Sequence, residues 1–239
     1  MDQFKVQALI AQGDLVKASD IDASKSYLQI GVFQEGNRQI GPGNANSYAP
    51  YAIALSEVGS SFKYEIGQNV PSEGGIIGHR WLSTTPAGYP QPGTVQNYLV
   101  LAYNDLPDNI CSNSGVSVGL TAQSLWDGQA NTNAIISQVG ATAGAAFDCA
   151  NLVSQGKSDW YLPAIHELLK IWYNYVDVGQ GIQSAGGTNI NILKTYWTST
   201  EVATGIGLGW ALRLTTDGFQ QTGKATNSIP IRPIRKFSI

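Results

Sequence analysis

The hydrophobic pattern of the first sixty residues is that of short β-strands. Apolar and polar residues alternate almost strictly over Phe4–Ile10, as they do in a half-buried strand. Two further strand-like runs follow, at Tyr27–Phe33 and Tyr51–Leu55, with turn-forming glycines between them. The pattern predicts a small all-β N-terminal module over residues 1–60. A module of this size is expected to dock against a neighbour or to oligomerise.

Residues 61–239 are predicted to form a second, larger domain. Strand-like runs at Gly74–Ile77 and Tyr98–Ala102 lie on either side of a proline- and glycine-rich segment, Pro86–Gly93. The C-terminal part contains four more strand-like runs, which are predicted to form an antiparallel set: Tyr196–Ser199, Leu208–Thr215, Phe219–Gly223 and Ser228–Arg235.

Two helices are predicted between these groups of strands. Asn131 and Thr132 offer capping side chains before an apolar run, and Ala141–Leu152 has the periodicity of a buried helix. This stretch fits one helix or a helix pair with a break near Gly140. Pro163 is predicted to open the second helix, whose apolar face contains Ile165, Leu168, Leu169 and Trp172. Antiparallel strands with two helices predict an α+β domain.

Composition and charge exclude several classes of function. The net charge is −3 and the chain contains no cluster of lysine or arginine, so nucleic acid is not an expected partner. The N-terminus lacks the pattern of a signal peptide, and no apolar run approaches the roughly 20 residues of a membrane span. We therefore expect a protein that is made in the cytoplasm and does not insert into a membrane.

The sequence contains no strong catalytic or metal-binding pattern. The two histidines, His79 and His166, lie outside any nucleophile elbow, and Lys170 stands where a zinc-protease helix would need a second histidine after His166-Glu167. Asp127 and Asp159 are interpreted as capping and turn residues, since no dense acidic loop surrounds them. We expect no catalytic residues, no metal and no cofactor.

The two cysteines, Cys111 and Cys149, are interpreted as buried free thiols. A single disulfide between them is the alternative interpretation. Three tryptophans in the C-terminal domain, Trp126, Trp160 and Trp197, have two interpretations. Each could stack on a sugar ring, but core packing is favoured.

Several sequence motifs occur in a fixed order in the second domain. They are Gly74-Gly75-Ile76-Ile77, Trp126-Asp127-Gly128-Gln129-Ala130-Asn131-Thr132, Ala145-Ala146 with Cys149, Asp159-Trp160-Tyr161-Leu162-Pro163 with Glu167-Leu168, Tyr196-Trp197-Thr198-Ser199-Thr200-Glu201 and Arg232-Pro233-Ile234-Arg235. In these motifs residues 64–239 resemble the DUF1566 family, also called the Lcl C-terminal domain family. The first sixty residues lie outside the resemblance.

The resemblance implies a C-type-lectin-like fold of the formylglycine-generating-enzyme-like variety, and with it the display of a binding surface. The calcium-binding triplets of true C-type lectins and the paired-cysteine site of the enzymes do not occur in this sequence. Together with the small N-terminal module, the resemblance leads us to expect a bacteriophage virion protein, such as a tail fibre, a head fibre or a receptor-binding tip. The expected state is a homotrimer that contacts other virion proteins through residues 1–60.

The predicted ligand-binding surface is the last hairpin of the second domain. There Trp210, Leu212 and Leu214 alternate with Ala211, Arg213 and Thr215, so that one face is apolar and the other is available. The candidate residues are Arg213, Thr215, Asp217, Gln220, Thr222 and Lys224. Their expected partner is a host-surface glycan or protein, although for any one of them alone an ordinary solvated side chain is the favoured interpretation.

Three other functions stay open at the level of sequence. A purely structural capsid decoration or tail collar would show a large apolar contact patch and no binding to cells. A bacterial surface adhesin would use the same lectin-like domain. An enzyme would need a cleft that holds titratable groups with shifted pKa values, and the low content of charged residues, 13%, disfavours it.

Overall fold

The structure is a computed structural model of the chain. It describes residues 15–17, 27–34, 48–54, 62–91, 93–203, 207–213 and 218–239. Contacts between Cα atoms divide the chain into two compact units, residues 1–63 and residues 64–239. The division lies close to the predicted boundary at residue 60.

The first unit contains a three-stranded antiparallel sheet. Its strands are β1 (Leu15–Lys17), β2 (Tyr27–Gln34) and β3 (Tyr48–Ala54), in the order β1-β3-β2. The strands predicted at Tyr27–Phe33 and Tyr51–Leu55 are confirmed as β2 and β3. The strand predicted over Phe4–Ile10 lies outside the described residues.

The second unit begins with a four-stranded antiparallel sheet of order β12-β6-β5-β4. Its strands are β4 (Asn69–Val70), β5 (Gly75–Ser83), β6 (Val95–Leu101) and β12 (Ile234–Ser238). Both predicted strands in this region are confirmed as parts of β5 and β6. The proline- and glycine-rich segment forms the connection between them, as its turn residues predict.

Two smaller antiparallel sheets complete the strands of this unit. The first consists of β8 (Thr195–Glu201), β9 (Leu208–Arg213) and β10 (Gly218–Gly223), and the second pairs β7 (Leu106–Asn109) with β11 (Ile229–Ile231). The run predicted as one strand over Ser228–Arg235 is therefore two strands in different sheets. Pro233 lacks an amide hydrogen for a ladder, and Arg232, which precedes it between the two strands in the chain, has a buried side chain.

The described residues contain four α-helices instead of the two that the pattern predicts. They are α1 (Gly128–Ile136), α2 (Ala145–Ala150), α3 (Ile165–Tyr173) and α4 (Tyr175–Ser184). Short 3-10 turns occur at Pro71–Glu73 and Gly119–Ala122. Four helices with antiparallel sheets establish a mixed, α+β architecture.

The start of α1 differs from the prediction. Asp127 is the N-cap residue, since its side chain accepts a hydrogen bond from the amide of Ala130. Asn131 and Thr132, predicted as caps, lie inside the helix and are buried. The capping role predicted for Asp127 is confirmed, and the N-cap lies four residues before Asn131, the first of the two predicted caps.

Two hydrophobic clusters form the core of the second unit. One joins the four-stranded sheet to α3 and α4 and contains Ile76, Leu101 and Leu212, and the other surrounds Cys111 and contains Ala211. Ala211 and Leu212 are adjacent on β9 and both are buried, so both faces of this strand are covered at that point. Ala211 itself is therefore not available on the face where it was predicted, while Arg213 on the same strand is partly exposed.

The two thiols are free and buried, as the sequence predicts. Burial raises the pKa of Cys111 to about 12, and the cation of Lys224 only partly opposes that rise. Both thiols are therefore protonated and act as small apolar groups. Among the described residues, no helix is long and apolar enough to cross a membrane.

A candidate ligand-binding groove

The residues of the C-terminal motif Arg232-Pro233-Ile234-Arg235 hold distant segments together. Arg232 Nε donates to Asp105 Oδ1 at 2.5 Å, and the guanidinium also donates to the carbonyl oxygens of Ala102 (3.1 Å) and Thr188 (2.7 Å). The side chain is 1% exposed. Arg232 therefore joins the end of β6 to the loop after α4.

Arg235 makes a second buried junction. Its Nε and Nη2 donate to the two carboxylate oxygens of Asp159 at 2.7 and 2.8 Å, and Nη1 donates to Glu73 Oε2 at 2.9 Å. Burial opposes ionisation of Asp159, but the Arg235 guanidinium outweighs it and lowers the pKa of that carboxyl. A bidentate pair of this kind also fixes orientation.

Glu201 and Lys224 form an ion pair that is fully buried within the second unit. Glu201 also accepts hydrogen bonds from the amides of Val118 (2.8 Å) and Gly119 (3.1 Å), while Lys224 Nζ donates to the Val116 carbonyl at 2.9 Å. The pair therefore anchors the segment 116–119 over the sheet of β8 and β9. Lys224 was predicted to face a partner. This prediction is wrong, because its side chain is fully buried and its ammonium group contacts Glu201 and the Val116 carbonyl.

Glu167 joins the starts of α1 and α3. Its Oε2 accepts from the amides of Gly128 (3.1 Å) and Ala164 (2.9 Å), and its Oε1 accepts from the Tyr161 hydroxyl at 3.0 Å. Burial raises the pKa of Glu167, although Lys236 and these hydrogen bonds oppose the rise. Both oxygens are thus occupied by groups that hold the backbone in place.

A groove of about 260 Å³ opens beside this junction. Its walls come from β5, from the connection between β5 and β6, and from the segment before α1, and its floor comes from α3 and β12. The residues that line it are His79, Trp81, Ala87, Gly88, Tyr89, Pro90, Leu99, Ser124, Trp126, Asp127, Glu167 and Lys236. The groove lies entirely within the second unit.

Two pairs of aromatic rings line the groove. Tyr89, which is 63% exposed, meets Trp126 edge to face with ring centroids 5.4 Å apart. His79 and Trp81 stack with ring centroids 5.8 Å apart. Lys170 Nζ lies 5.8 Å from the centre of the Trp126 ring. Trp126 is thus half-buried and lines the groove.

The connection between β5 and β6 is held in a fixed conformation. Ala87 has a φ of 53°, a left-handed conformation that costs energy for a residue with a Cβ. Its amide donates to Asn97 Oδ1 at 2.7 Å, and the indole of Trp81 donates to the Gly88 carbonyl at 2.8 Å. These bonds fix the wall that carries Tyr89.

Lys236 provides an ammonium group in the floor of the groove. Its side chain is 12% exposed, and Nζ lies 3.4 Å from Glu167 Oε1 and 4.0 Å from Asp127 Oδ1. Nζ donates no hydrogen bond to any described residue. The His79 Nδ1 atom is also buried without a partner among the described residues. Lys236 Nζ is therefore a polar atom of the groove whose hydrogen-bonding capacity is not used by the described residues, whereas His79 Nδ1 is too deeply buried to contact a ligand.

Both histidines near the groove are neutral at pH 7. Burial, with a further contribution from the cation of Lys170, lowers the pKa of His79 to about 4. The same two causes lower the pKa of His166. The charged residues that line the groove are therefore the carboxylates of Asp127 and Glu167 and the ammonium group of Lys236.

The residues predicted to bind a ligand lie elsewhere. Arg213 and Thr222 are partly exposed on β9 and β10, but neither lines the groove. Thr215 and Asp217, and the side chain of Gln220 on β10, lie outside the described set. A ligand-binding role for these five residues remains a prediction. Of the six candidates, only Lys224 is excluded.

Two of the three motif tryptophans are core residues, as predicted, and the third is not. Trp160 is 1% exposed and Trp197 is fully buried, whereas Trp126 lines the groove. Tyr89 and Lys236 were missed because they belong to no motif that carries chemistry. The one usable signal was the proline- and glycine-rich segment, which marks an exposed loop.

The part of the chain that the structure describes contains no group of three or more His, Cys, Asp or Glu side chains that could hold a metal ion. No profile of a known protein family matches the chain, and no curated protein matches it. One solved structure with detectable similarity is a fimbrial protein from Bacteroides ovatus ATCC 8483, with a TM-score of 0.49 and 15% sequence identity. The similarity covers 88% of this chain and 49% of that chain, and at this level it assigns neither fold nor function.

Proposed function

We propose that this chain is a non-enzymatic surface protein whose second unit binds its partner in the aromatic groove. The observation that carries the proposal is the combination of a fixed aromatic wall with a recessed ammonium group that donates no hydrogen bond to the described residues. Tyr89 supplies exposed ring surface and Lys236 supplies the polar anchor. Binding sites typically combine an apolar concave surface with a few such polar groups.

The contacts of Glu167 favour binding over turnover. A general acid or base needs an oxygen that can reach the substrate, yet both oxygens of Glu167 accept hydrogen bonds from Gly128, Ala164 and Tyr161. The raised pKa of this carboxyl follows from its structural position. Perturbed pKa values arise in structural networks as well as in active sites.

The second unit is proposed to be a C-type-lectin-like domain of the DUF1566 type. The internal roles of the motif residues support this proposal. Glu167, Glu201, Arg232 and Arg235 each belong to a motif that carries the resemblance, and each joins separate segments through buried contacts. Such residues preserve a scaffold while the surface around it can vary.

The proposed carrier is a bacteriophage particle. The chain would be a tail fibre, a head fibre or a receptor-binding tip, with residues 1–60 contacting other virion proteins and assembling as a homotrimer. Several copies on one particle would raise avidity if they engage the host surface together. The partner would be a glycan or a protein of that surface.

Binding to intact host cells tests the recognition role. Fluorescently labelled full-length protein is compared with a groove variant, Tyr89→Ala with Trp126→Ala, and with a hairpin variant, Arg213→Ala with Gln220→Ala. Loss of binding in the groove variant alone supports the proposal, after equal melting temperatures have shown that both variants fold. Loss in the hairpin variant alone moves the site to β9 and β10. If the unaltered protein binds no cells of a broad panel, the recognition role is wrong.

The carrier is tested separately with purified particles. Mass spectrometry of phage virions detects the chain if it is a virion protein. Its presence on bacterial cells and its absence from virions would contradict the phage assignment and favour an adhesin.

A structural role as a decoration or collar protein is the second candidate, because three exposed apolar side chains lie close together. Val116 is 62% exposed, Leu120 is 88% exposed and Val139 is 97% exposed. Gln138, next to Val139, donates to the Val116 carbonyl at 3.1 Å, which brings the two segments together. This role predicts that Leu120→Ser blocks incorporation into particles and leaves binding of the isolated protein to cells unchanged.

A further inference from the structure

The groove places an acceptor and a donor side by side. Asp127 Oδ1 and Lys236 Nζ are 4.0 Å apart, and both residues line the groove. Asp127 Oδ1 caps α1 through the amide of Ala130, whereas its Oδ2 accepts no hydrogen bond from a described residue. A carboxylate only accepts hydrogen bonds and an ammonium only donates them.

Hydroxyl groups satisfy both members of such a pair. One hydroxyl can donate to Asp127 while its neighbour accepts from Lys236, since each hydroxyl is both a donor and an acceptor. Two hydroxyls on adjacent ring carbons have the close spacing that the 4.0 Å separation requires. A carboxylate or phosphate ligand would satisfy Lys236 but would meet the like charge of Asp127.

The charged residues that line the groove are of both signs. Asp127 and Glu167 are carboxylates and Lys236 is an ammonium group, while Lys170 lies beside the Trp126 ring and not in the lining. His79 adds no charge at pH 7, because burial and Lys170 lower its pKa to about 4. The two carboxylates disfavour a strongly anionic ligand, and Lys236 disfavours a strongly cationic one.

The size and walls of the groove favour one sugar ring. Its volume of about 260 Å³ lies below the range of roughly 300–1,000 Å³ that is usual for drug-sized ligands. Tyr89 and Trp126 offer aromatic surface against which the C–H groups of a pyranose ring can pack.

We infer that the groove binds a neutral pyranose through two hydroxyls on adjacent carbons, one donating to Asp127 and one accepting from Lys236. The inference rests on the proposed recognition role and specifies its ligand class. It requires no metal ion, since the two side chains contact the sugar directly. The ring packs against Tyr89 and Trp126.

Saturation-transfer NMR and calorimetry of the full-length protein test the inference. The ligands are methyl glycosides of neutral hexoses, their monodeoxy analogues, and the methyl glycoside of a uronic acid. We expect at least one neutral glycoside to bind, and removal of either of two adjacent hydroxyls to weaken binding about tenfold or more. Binding of the uronic acid glycoside alone overturns the inference.

Four variants locate the site. Lys236→Met and Asp127→Asn, which keeps a capping side chain, should each weaken binding about tenfold or more. Tyr89→Ala changes a residue that is 63% exposed, so it tests the groove even if Lys236→Met fails to fold. The control, Lys194→Met, removes an exposed lysine outside the groove and should bind as the unaltered protein does. Equal binding by Tyr89→Ala and the unaltered protein contradicts the inference.

Periodate treatment of host cells separates failure of the inference from failure of the recognition role. Periodate cleaves the bond between carbons that carry adjacent hydroxyls, so treated cells should lose binding and protease-treated cells should keep it. The opposite result, with binding that still depends on Tyr89 and Trp126, identifies a protein partner and overturns the sugar inference alone. Absence of binding to untreated cells overturns the recognition role itself.

Discussion

At the scale of single residues, Lys224 shows why an alternating pattern can mislead. Alternation assigns its side chain to the open face of a hairpin, yet the side chain is fully buried and donates to the Val116 carbonyl. Glu201, its ion-pair partner, precedes it by more than twenty residues, and no local pattern joins the two. A pairing of this kind depends on the tertiary structure and cannot be predicted from periodicity.

Lys224→Met should lower the free energy of unfolding by about 3–5 kcal/mol, because it leaves the carboxylate of Glu201 buried without its cation. The control, Lys194→Met, breaks a half-exposed ion pair with Asp108 and should cost less than about 1 kcal/mol. Urea unfolding measures both. Similar costs for the two variants would show that the pair is solvated and that the structure places Lys224 wrongly.

His79 should make the second unit less stable in acid. Its pKa in the folded state is about 4, below its ordinary value of 6.5, so unfolding takes up a proton between these values. The stabilising contribution is complete above pH 6.5 and is lost as the pH falls toward 4. In His79→Phe, the decrease in the urea midpoint between pH 7 and pH 4.5 should be smaller than in the unaltered protein. An equal decrease would contradict the assigned burial.

At the scale of elements, the junction of α1 and α3 explains why the motif contains glycine at position 128. A Cβ there would lie 2.5 Å from the amide nitrogen of Ala164 and 2.7 Å from the Leu162 carbonyl oxygen. The close approach lets Glu167 cap both helices. The motif is visible in the sequence, but the requirement for glycine at position 128 comes from the close approach of two backbone segments, which only the structure shows.

Gly128→Ala should therefore destabilise the protein by about 2–3 kcal/mol through overpacking, although alanine is normally the better helix former. The comparison is Gly140→Ala, where nothing lies within 4 Å of the added Cβ. There the positive φ of 84° alone should lower the free energy of unfolding, by about 1–2 kcal/mol. Thermal unfolding at constant pH compares the two variants. A smaller loss at Gly128 than at Gly140 would mean that the helices do not approach as described.

The sequence predicts most strands of the second unit but only part of its helices. In β5, β6 and β8 apolar residues either alternate with polar ones or form continuous runs. These patterns mark strands because the sheets are packed on one face or on both. Helix α4 was missed, since Gly179 and Gly181 weaken its helical pattern. A Cβ at Gly181 would meet the Gly67 carbonyl oxygen at 2.0 Å, so tertiary packing requires the glycine.

At the scale of the whole molecule, the second unit contains both hydrophobic clusters described here and all of the groove. The groove was not predictable as a site, because Tyr89, Trp126 and Lys236 come from three distant segments. Of these three residues, Trp126 alone belonged to a motif, and it was assigned to the core. Sites assembled from long-range contacts leave little trace in a single sequence.

Residues 64–239 should fold without the first unit. The expected result is one cooperative thermal transition and resistance to limited proteolysis, because both clusters and the buried ion pairs lie within this range. Circular dichroism and protease digestion of the separate fragment test this expectation. A fragment without a cooperative transition would place the domain boundary elsewhere.

Hydroxyl-radical footprinting of the full-length protein on intact host cells tests the central claim most directly, since it measures which aromatic side chains a partner covers. The account predicts that Tyr89 and Trp126 become protected from oxidation, while Trp210, which is partly exposed on β9, is unchanged. Protection of Trp210 with no change at Tyr89 and Trp126 would contradict the account and place recognition on the hairpin.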